Sequence, residues 1–437
     1  MATSSSKRPA GKRTALSRST GLSLRRSFLL FVLVCAAAGC SSAGTRAGGP
    51  ARGPAAGVPA RFAPLYSELD LQLAAAQTTA LELPGAGQAC PVMAPSLYPA
   101  SSYFGPAEPG SDRWKDLMTA LDGFQALGVN AVSLMVSFPD LTAEVKDPEP
   151  LLKSYGALAA ELRARKMKLL VEHFVYPPWA PTREGKFVAG IKALPDPEGA
   201  FLDYKKKEIN LILSRIKPDY LTIVTEPGTC DKFLGVSVST EDYVQWLNGL
   251  LAELSASGAK GGTKLGAGAG AWEPERYVSA FTKIKGLDYV DIHFYPMKLG
   301  PEDLFAKFLR LADQIKADDP SKELVVSETW LYKHGADEPK GVFSAEAYGR
   351  NGYDFWAPLD ARFLELINTV GKKKGLAVIA PYFPQFFFTA GKFDPAVAPD
   401  WPAGMTEEWR LALGAAGRGA VSPTGKAFGE MLGRCKN

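Results

Sequence analysis

The sequence predicts an α/β fold, a (β/α)8 barrel with a short N-terminal extension. Three observations carry that expectation. From Cys90 onward, short apolar runs alternate with amphipathic segments, and eight such pairs can be counted. The stretch that holds them, roughly 350 residues, is the length of a decorated barrel. Two of the runs close on glutamate, in Val224-Thr225-Glu226-Pro227 and Val326-Ser327-Glu328-Thr329-Trp330. A carboxylate directly after a buried strand must be solvated, paired or used, and a barrel offers all three at the carboxyl ends of its strands.

The chain divides into residues 1–40, 41–62 and 63–437. The first segment carries Lys7, Arg8, Lys12, Arg13, Arg18, Arg25 and Arg26 and no acidic residue, and the apolar run Phe28 to Ala38 is too short to span a bilayer. It therefore reads as a signal peptide. Leu24-Arg25-Arg26-Ser27-Phe28-Leu29 resembles the twin-arginine export motif, and Ala37-Ala38-Gly39-Cys40 resembles a bacterial lipobox, which implies lipidation at Cys40. The expected location is the periplasm or cell surface, with a lipid anchor in the membrane. Residues 41–62, rich in Ala, Gly, Pro and Arg without an apolar period, read as a flexible tether.

Removing the leader changes the charge balance. The whole chain has 50 basic and 46 acidic residues, a formal +4; without the seven leader cations 43 remain against 46, or −3. Nothing electrostatic then favours nucleic acid as a partner. Of the five cysteines, Cys90 precedes the first strand and Cys435 ends the last helix. Both belong on the amino-terminal face of a barrel, so a Cys90–Cys435 disulfide is expected in an oxidising compartment. Cys230, after the Glu226 strand, is expected to be a free thiol on the opposite face.

The expected strands are Pro91 to Ala94, Ala131 to Val136, Lys168 to Glu172, Tyr220 to Val224, Lys264 to Ala267, Tyr289 to His293, Leu324 to Val326 and Ala377 to Ala380. Prolines crowd the first. Helices are expected over Trp114 to Leu127, Leu151 to Arg165, Phe201 to Arg215, Glu241 to Ser255, Pro274 to Ile284, Glu302 to Lys316 and Ala361 to Lys372. Ser111-Asp112 and Ser239-Thr240-Glu241-Asp242 are good N-cap patterns, because a serine hydroxyl accepts from the first-turn N–H groups.

Two of the three histidines close strands, His173 and His293, where an imidazole can orient hydroxyls and set the protonation of a nearby carboxylate. Trp179, Trp272, Trp330, Tyr176, Tyr295 and Tyr382 follow strand ends, where flat rings suit the apolar faces of sugars, and Trp272 and Trp330 are the leading stacking candidates. Gln385 can reach a hydroxyl, and Glu172 and Glu273 read as acidic rim contacts. In the insertion Lys333 to Phe355, Tyr348, Asn351 and Tyr353 are further candidates. Gly266-Ala267-Gly268-Ala269-Gly270 lacks the lysine and hydroxyl of a phosphate loop and reads as a close-approach segment. Glu172, His173 and His293 lack metal-site spacing, so no metal or cofactor is expected.

Together these residues resemble the clan of retaining (β/α)8 glycoside hydrolases that includes cellulases, mannanases and endo-galactanases, over roughly Pro91 to Lys426. The strand count puts Glu226-Pro227 on strand four, where the clan carries its acid/base, and Glu328 on strand seven, where it carries its nucleophile. His293-Phe294-Tyr295 is similar to the strand-six motif that positions the nucleophile. The expected substrate contacts are then His173, Thr225, Trp272, His293, Tyr295, Trp330, Tyr382 and Gln385, with a β-linked oligo- or polysaccharide as partner and a monomer as the expected state. Thr225 departs from the pattern, since the clan usually has asparagine there to hold a sugar hydroxyl. The alternative is an anchored barrel that binds glycan without cutting it.

Overall fold

The structure is a computed structural model, and it describes residues 57–85, 89–178, 180, 182–295, 303–334, 350–393 and 405–435. The leader with Cys40, most of the tether, Trp179 and Tyr348 lie outside the described residues.

Eight parallel strands form one sheet: β1 (Val92–Met93), β2 (Ala131–Phe138), β3 (Lys168–Val175), β4 (Tyr220–Val224), β5 (Lys264–Gly270), β6 (Tyr289–His293), β7 (Glu323–Thr329) and β8 (Leu376–Pro381). The hydrogen-bonded order runs β1-β8-β7-β6-β5-β4-β3-β2. A parallel bridge between Ser96 and Ser133 joins the two ends, through Leu97 N–H to Ser133 O (2.7 Å) and Ser133 N–H to Pro95 O (3.1 Å). The barrel thus closes just beyond β1, which is short because Pro91 and Pro95 flank it and donate no ladder bonds.

Helices cover the outside of the barrel. Ser111 caps Asp112–Ala126 by accepting from Trp114 N–H, and Ser239 caps Thr240–Ser257 by accepting from Asp242 N–H. One buried layer of apolar side chains fills the space between strands and helices; a second, smaller one inside the barrel contains Ala94, Leu170, Tyr220, Tyr289, Val325 and Val378. Strands buried on both faces read as continuous apolar runs, which is how these eight were visible in sequence.

The glycines of β5 make room inside the barrel. A Cβ on Gly266 would lie 2.1 Å from the Tyr289 ring, and one on Gly270 would lie 2.2 Å from the Trp272 indole. The close approach is by side chains of this chain.

The folded body begins slightly before residue 63. Ala60–Phe62 form a 3-10 turn, and Phe62 is buried among Tyr353, Phe355, Trp356 and Phe393. The next helix, Ala63–Glu82, packs along Ala357–Lys374, where Arg362 bonds Asp70 and Gln77. Tyr353 and Asn351, candidate contacts in the insertion, are both buried in packing, with Asn351 Oδ1 accepting from Lys333 N–H at 3.2 Å. Cys90 and Cys435, 345 positions apart, are joined by a disulfide.

Candidate active site

The polar cluster inside the barrel is organised around His293, the last residue of β6. Side chains alternate along a strand, so Tyr289, Asp291 and His293 share the barrel interior, with Tyr289 in the apolar layer below and Asp291 and His293 above it. His293 Nδ1 lies 2.6 Å from Glu226 Oε1. Its Nε2 lies 3.0 Å from Glu172 Oε2, 3.0 Å from Ser327 Oγ and 3.1 Å from Thr225 Oγ1. Below, Asp291 accepts from Ser327 Oγ and, at 3.0 Å each, from Ser327 N–H and Thr222 Oγ1.

Local irregularity brings the two glutamates in. Consecutive residues of a regular strand point to opposite faces, yet Ser327 bonds His293 and Glu328 Oε2 lies 3.9 Å from the same ring. The pairing of β7 with β8 slips between Val326 and Thr329, and such a slip re-aims a side chain. Glu226 is turned by its backbone, which is left-handed at φ 45°, ψ 61°. That conformation is costly for a residue with a Cβ and marks an over-determined position. Tyr295 OH donates to Glu328 Oε1, and its ring is stacked on Tyr332 at 4.4 Å and leans on Trp272 at 5.7 Å. One carboxylate oxygen of Glu226, one of Glu328 and a ring nitrogen of His293 all lie within 4.8 Å of one another.

The electrostatics follow from burial. His293 is lifted well above the ordinary histidine range: burial opposes its charge, but the bonds to Glu172 and Glu226 and the charge of Glu328 prevail. Glu328 is pushed up to about 8, chiefly by burial, with His293 opposing and the charges of Glu226 and Glu172 adding. Burial also raises Glu172 and Asp291. At neutral pH the proton therefore sits on Glu328 and the imidazolium faces Glu226, the reverse of what a ready nucleophile needs. Two groups, Glu172–Asp291–His293 and Glu226–His293–Glu328, have donor atoms close enough to surround a cation. An imidazolium with both nitrogens bonded to carboxylates has no lone pair for a metal, so these residues fit a proton better.

Several expected contacts are corrected. His173 faces away from the barrel interior: its Nε2 meets Glu208 Oε2 at 2.8 Å and its Nδ1 meets Lys205 Nζ at 3.0 Å, all three fully buried under the helix Pro197–Leu211. The inward residue is its neighbour Glu172, which is no rim contact. Trp330 is wholly buried against Phe363, Phe383, Phe386 and Phe387, a core residue. Gln385 is buried and donates to Glu408 at 2.8 Å. Thr225 belongs to the cluster but is 1% exposed, so it holds His293 and has no surface for a sugar. Cys230 is a buried free thiol that donates to Thr225 O at 3.2 Å. Tyr382 and Trp272 are part-exposed beside the cluster. Sequence reasoning missed Ser327, Asp291 and Tyr332; counting alternate positions back from His293 would have found Asp291.

No protein-family model and no curated protein matches the chain. Among solved structures it is similar to an exo-β-1,4-mannosidase from Opitutaceae bacterium strain TAV5, with 13% identity over 80% of this chain and 61% of that one and a TM-score of 0.47. It is also similar to a family 5 mannosidase from Rhizomucor miehei, with 13% identity over 80% and 94% and a TM-score of 0.47. Fungal β-1,4-galactanases match at 13% identity over 74% and 99%, with a TM-score of 0.42. The chain thus spans 61% of the length of the first of these. The likeness is one of barrel architecture, and any assignment of chemistry rests on this chain's own side chains.

Proposed function

We propose that the protein is a retaining glycoside hydrolase acting on a β-linked glycan outside the cytoplasm, anchored through Cys40. The observation that carries the reading is the Glu226–Glu328 pair at the carboxyl ends of β4 and β7, with oxygens within 4.8 Å across His293. Retention needs carboxyl groups about 5–5.5 Å apart, whereas inversion needs about 6.5–9.5 Å to admit a water. The close spacing favours retention.

In this reading Glu328, once ionised, attacks the anomeric carbon while Glu226 gives a proton to the leaving oxygen, and a glycosyl ester forms on Glu328. Glu226 then takes a proton from water, which displaces the ester. Tyr295 orients Glu328; the His293 imidazolium supplies through Nδ1 the proton that Glu226 donates, and the proton that Glu328 gives up on ionising passes to solvent. Tyr382 and Trp272 flank the pair as ring surfaces for the sugar.

A second reading, glycan binding without cleavage, is favoured by the burial of Glu328, which pushes its carboxyl up to about 8 and keeps it protonated at neutral pH. Reducing-end release from a panel of polysaccharides, compared between the mature protein and Glu328→Gln, separates the two. Hydrolysis that disappears in the variant while binding survives supports the enzyme. Tight binding unaffected by the substitution, with no release by either protein, supports the binding module.

A further inference from the structure

Glu226 is the N-cap of the helix Pro227–Leu234, yet its side chain makes no capping bond. An N-cap side chain ordinarily accepts from the N–H groups two or three positions on. Here the carboxylate is engaged elsewhere, on His293 Nδ1. The first turn still has donors to satisfy. Pro227 brings no N–H, and Cys230 N–H bonds Glu226 O at 2.9 Å. The N–H of Thr229 is accepted at 3.0 Å by Oε1 of Glu273, a residue 44 positions away and three past the end of β5. Glu273 Oε2 accepts from Gly270 N–H at 2.9 Å, and its backbone carbonyl accepts from Lys307 Nζ at 3.0 Å. The residue is buried, its side chain held at two points and its backbone carbonyl at a third.

We propose that Glu273 is a positioning residue of the site: it supplies from the segment after β5 the helix cap that Glu226 does not, and so fixes the left-handed backbone of Glu226 and keeps its carboxylate on His293. Without that outside cap, Thr229 N–H would draw the Glu226 side chain back onto its own helix. Burial and then the charge of Glu226 push Glu273 up to about 8, while the N–H groups of Gly270 and Thr229 pull against them, so the cap and Glu226 sense each other's charge. The kinetic consequence rests on reading Glu226 as the acid/base; the structural one does not.

The test uses Glu273→Gln, Glu226→Gln, their combination, and Gly228→Ala alone and with Glu226→Gln. Gly228→Ala alters no charge but sets a methyl group 2.9 Å from Glu273 Oε1, displacing the carboxylate from its post. With only three histidines in the chain, nitrogen-15 spectra of histidine-labelled protein resolve the His293 ring directly. Glu273→Gln and Gly228→Ala should each lower the pH at which His293 titrates by about one unit, and neither should shift it further once Glu226→Gln is present. On any substrate the polysaccharide screen yields, kcat should fall roughly tenfold or more with KM little changed. Equal shifts with and without the Glu226 carboxylate, or a Gly228→Ala protein that titrates like the parent, would overturn the proposal. Should Glu273→Gln fail to fold, Gly228→Ala decides alone. Should the parent cleave no glycan, the hydrolase reading fails, and the histidine titrations still test the cap.

Discussion

Replacing Glu328 with glutamine should abolish turnover and at the same time stabilise the protein at neutral pH. The carboxyl ionises near 4.5 in an unfolded chain and is pushed up to about 8 in the fold. Between those values the folded state keeps a proton that the unfolded state has released, so stability is full below about 4.5 and declines as pH rises through 8. At pH 7 the 2.5 units above 4.5, at 1.36 kcal/mol each, come to about 3 kcal/mol. Glutamine is neutral at every pH, and its amide oxygen can still accept from Tyr295 OH, so the variant escapes that loss. In a chain of this length about 3 kcal/mol corresponds to a rise in Tm of roughly 3–6 °C. At pH 5 the expected gain falls below about 1 kcal/mol. Thermal melts of both proteins at pH 5 and pH 7 check the argument. A variant that melts at or below the parent's temperature at pH 7, or a gain that is the same at both pH values, would refute it.

Two further outcomes follow from the placement of side chains. His173→Ala should destabilise by about 1–3 kcal/mol, because it removes the buried hydrogen-bonded bridge between Lys205 and Glu208, and KM in the surviving fold should not change; a weakened KM at unchanged Tm would restore His173 to the sugar site. Trp330→Ala and Tyr382→Ala should separate cleanly. The first should lower stability by about 3–5 kcal/mol as a core cavity, and the second should weaken glycan binding at nearly constant Tm, as isothermal titration and melting curves on the same samples will record.

The barrel was legible because its strands are short apolar runs with sharp edges. β4 and β6 lie where the sequence puts them, at Tyr220–Val224 and Tyr289–His293, and the Ser111 and Ser239 caps bond as their patterns predict. Facing was not legible, for a physical reason. A strand buried on both sides shows no alternation of polarity, so nothing local told Glu172, which points in, from its neighbour His173, which points out. Trp330 misled for a related reason: it follows the irregular end of β7, where position no longer dictates direction. The role of Glu273 depends on a bond spanning 44 residues, which no local pattern encodes. The helix Ala63–Glu82 adjoins a segment read as tether, and its place is set by partners near residue 360.

The central claim, that Glu226 and Glu328 work as a double-displacement pair, is tested most directly by the configuration of the first product. Proton NMR recorded during the first minutes of cleavage of a β-linked glycan should show the β-anomer appearing first and relaxing to the α-anomer afterwards. Initial release of the α-anomer would mean inversion and would contradict the close pairing of the two carboxylates across His293.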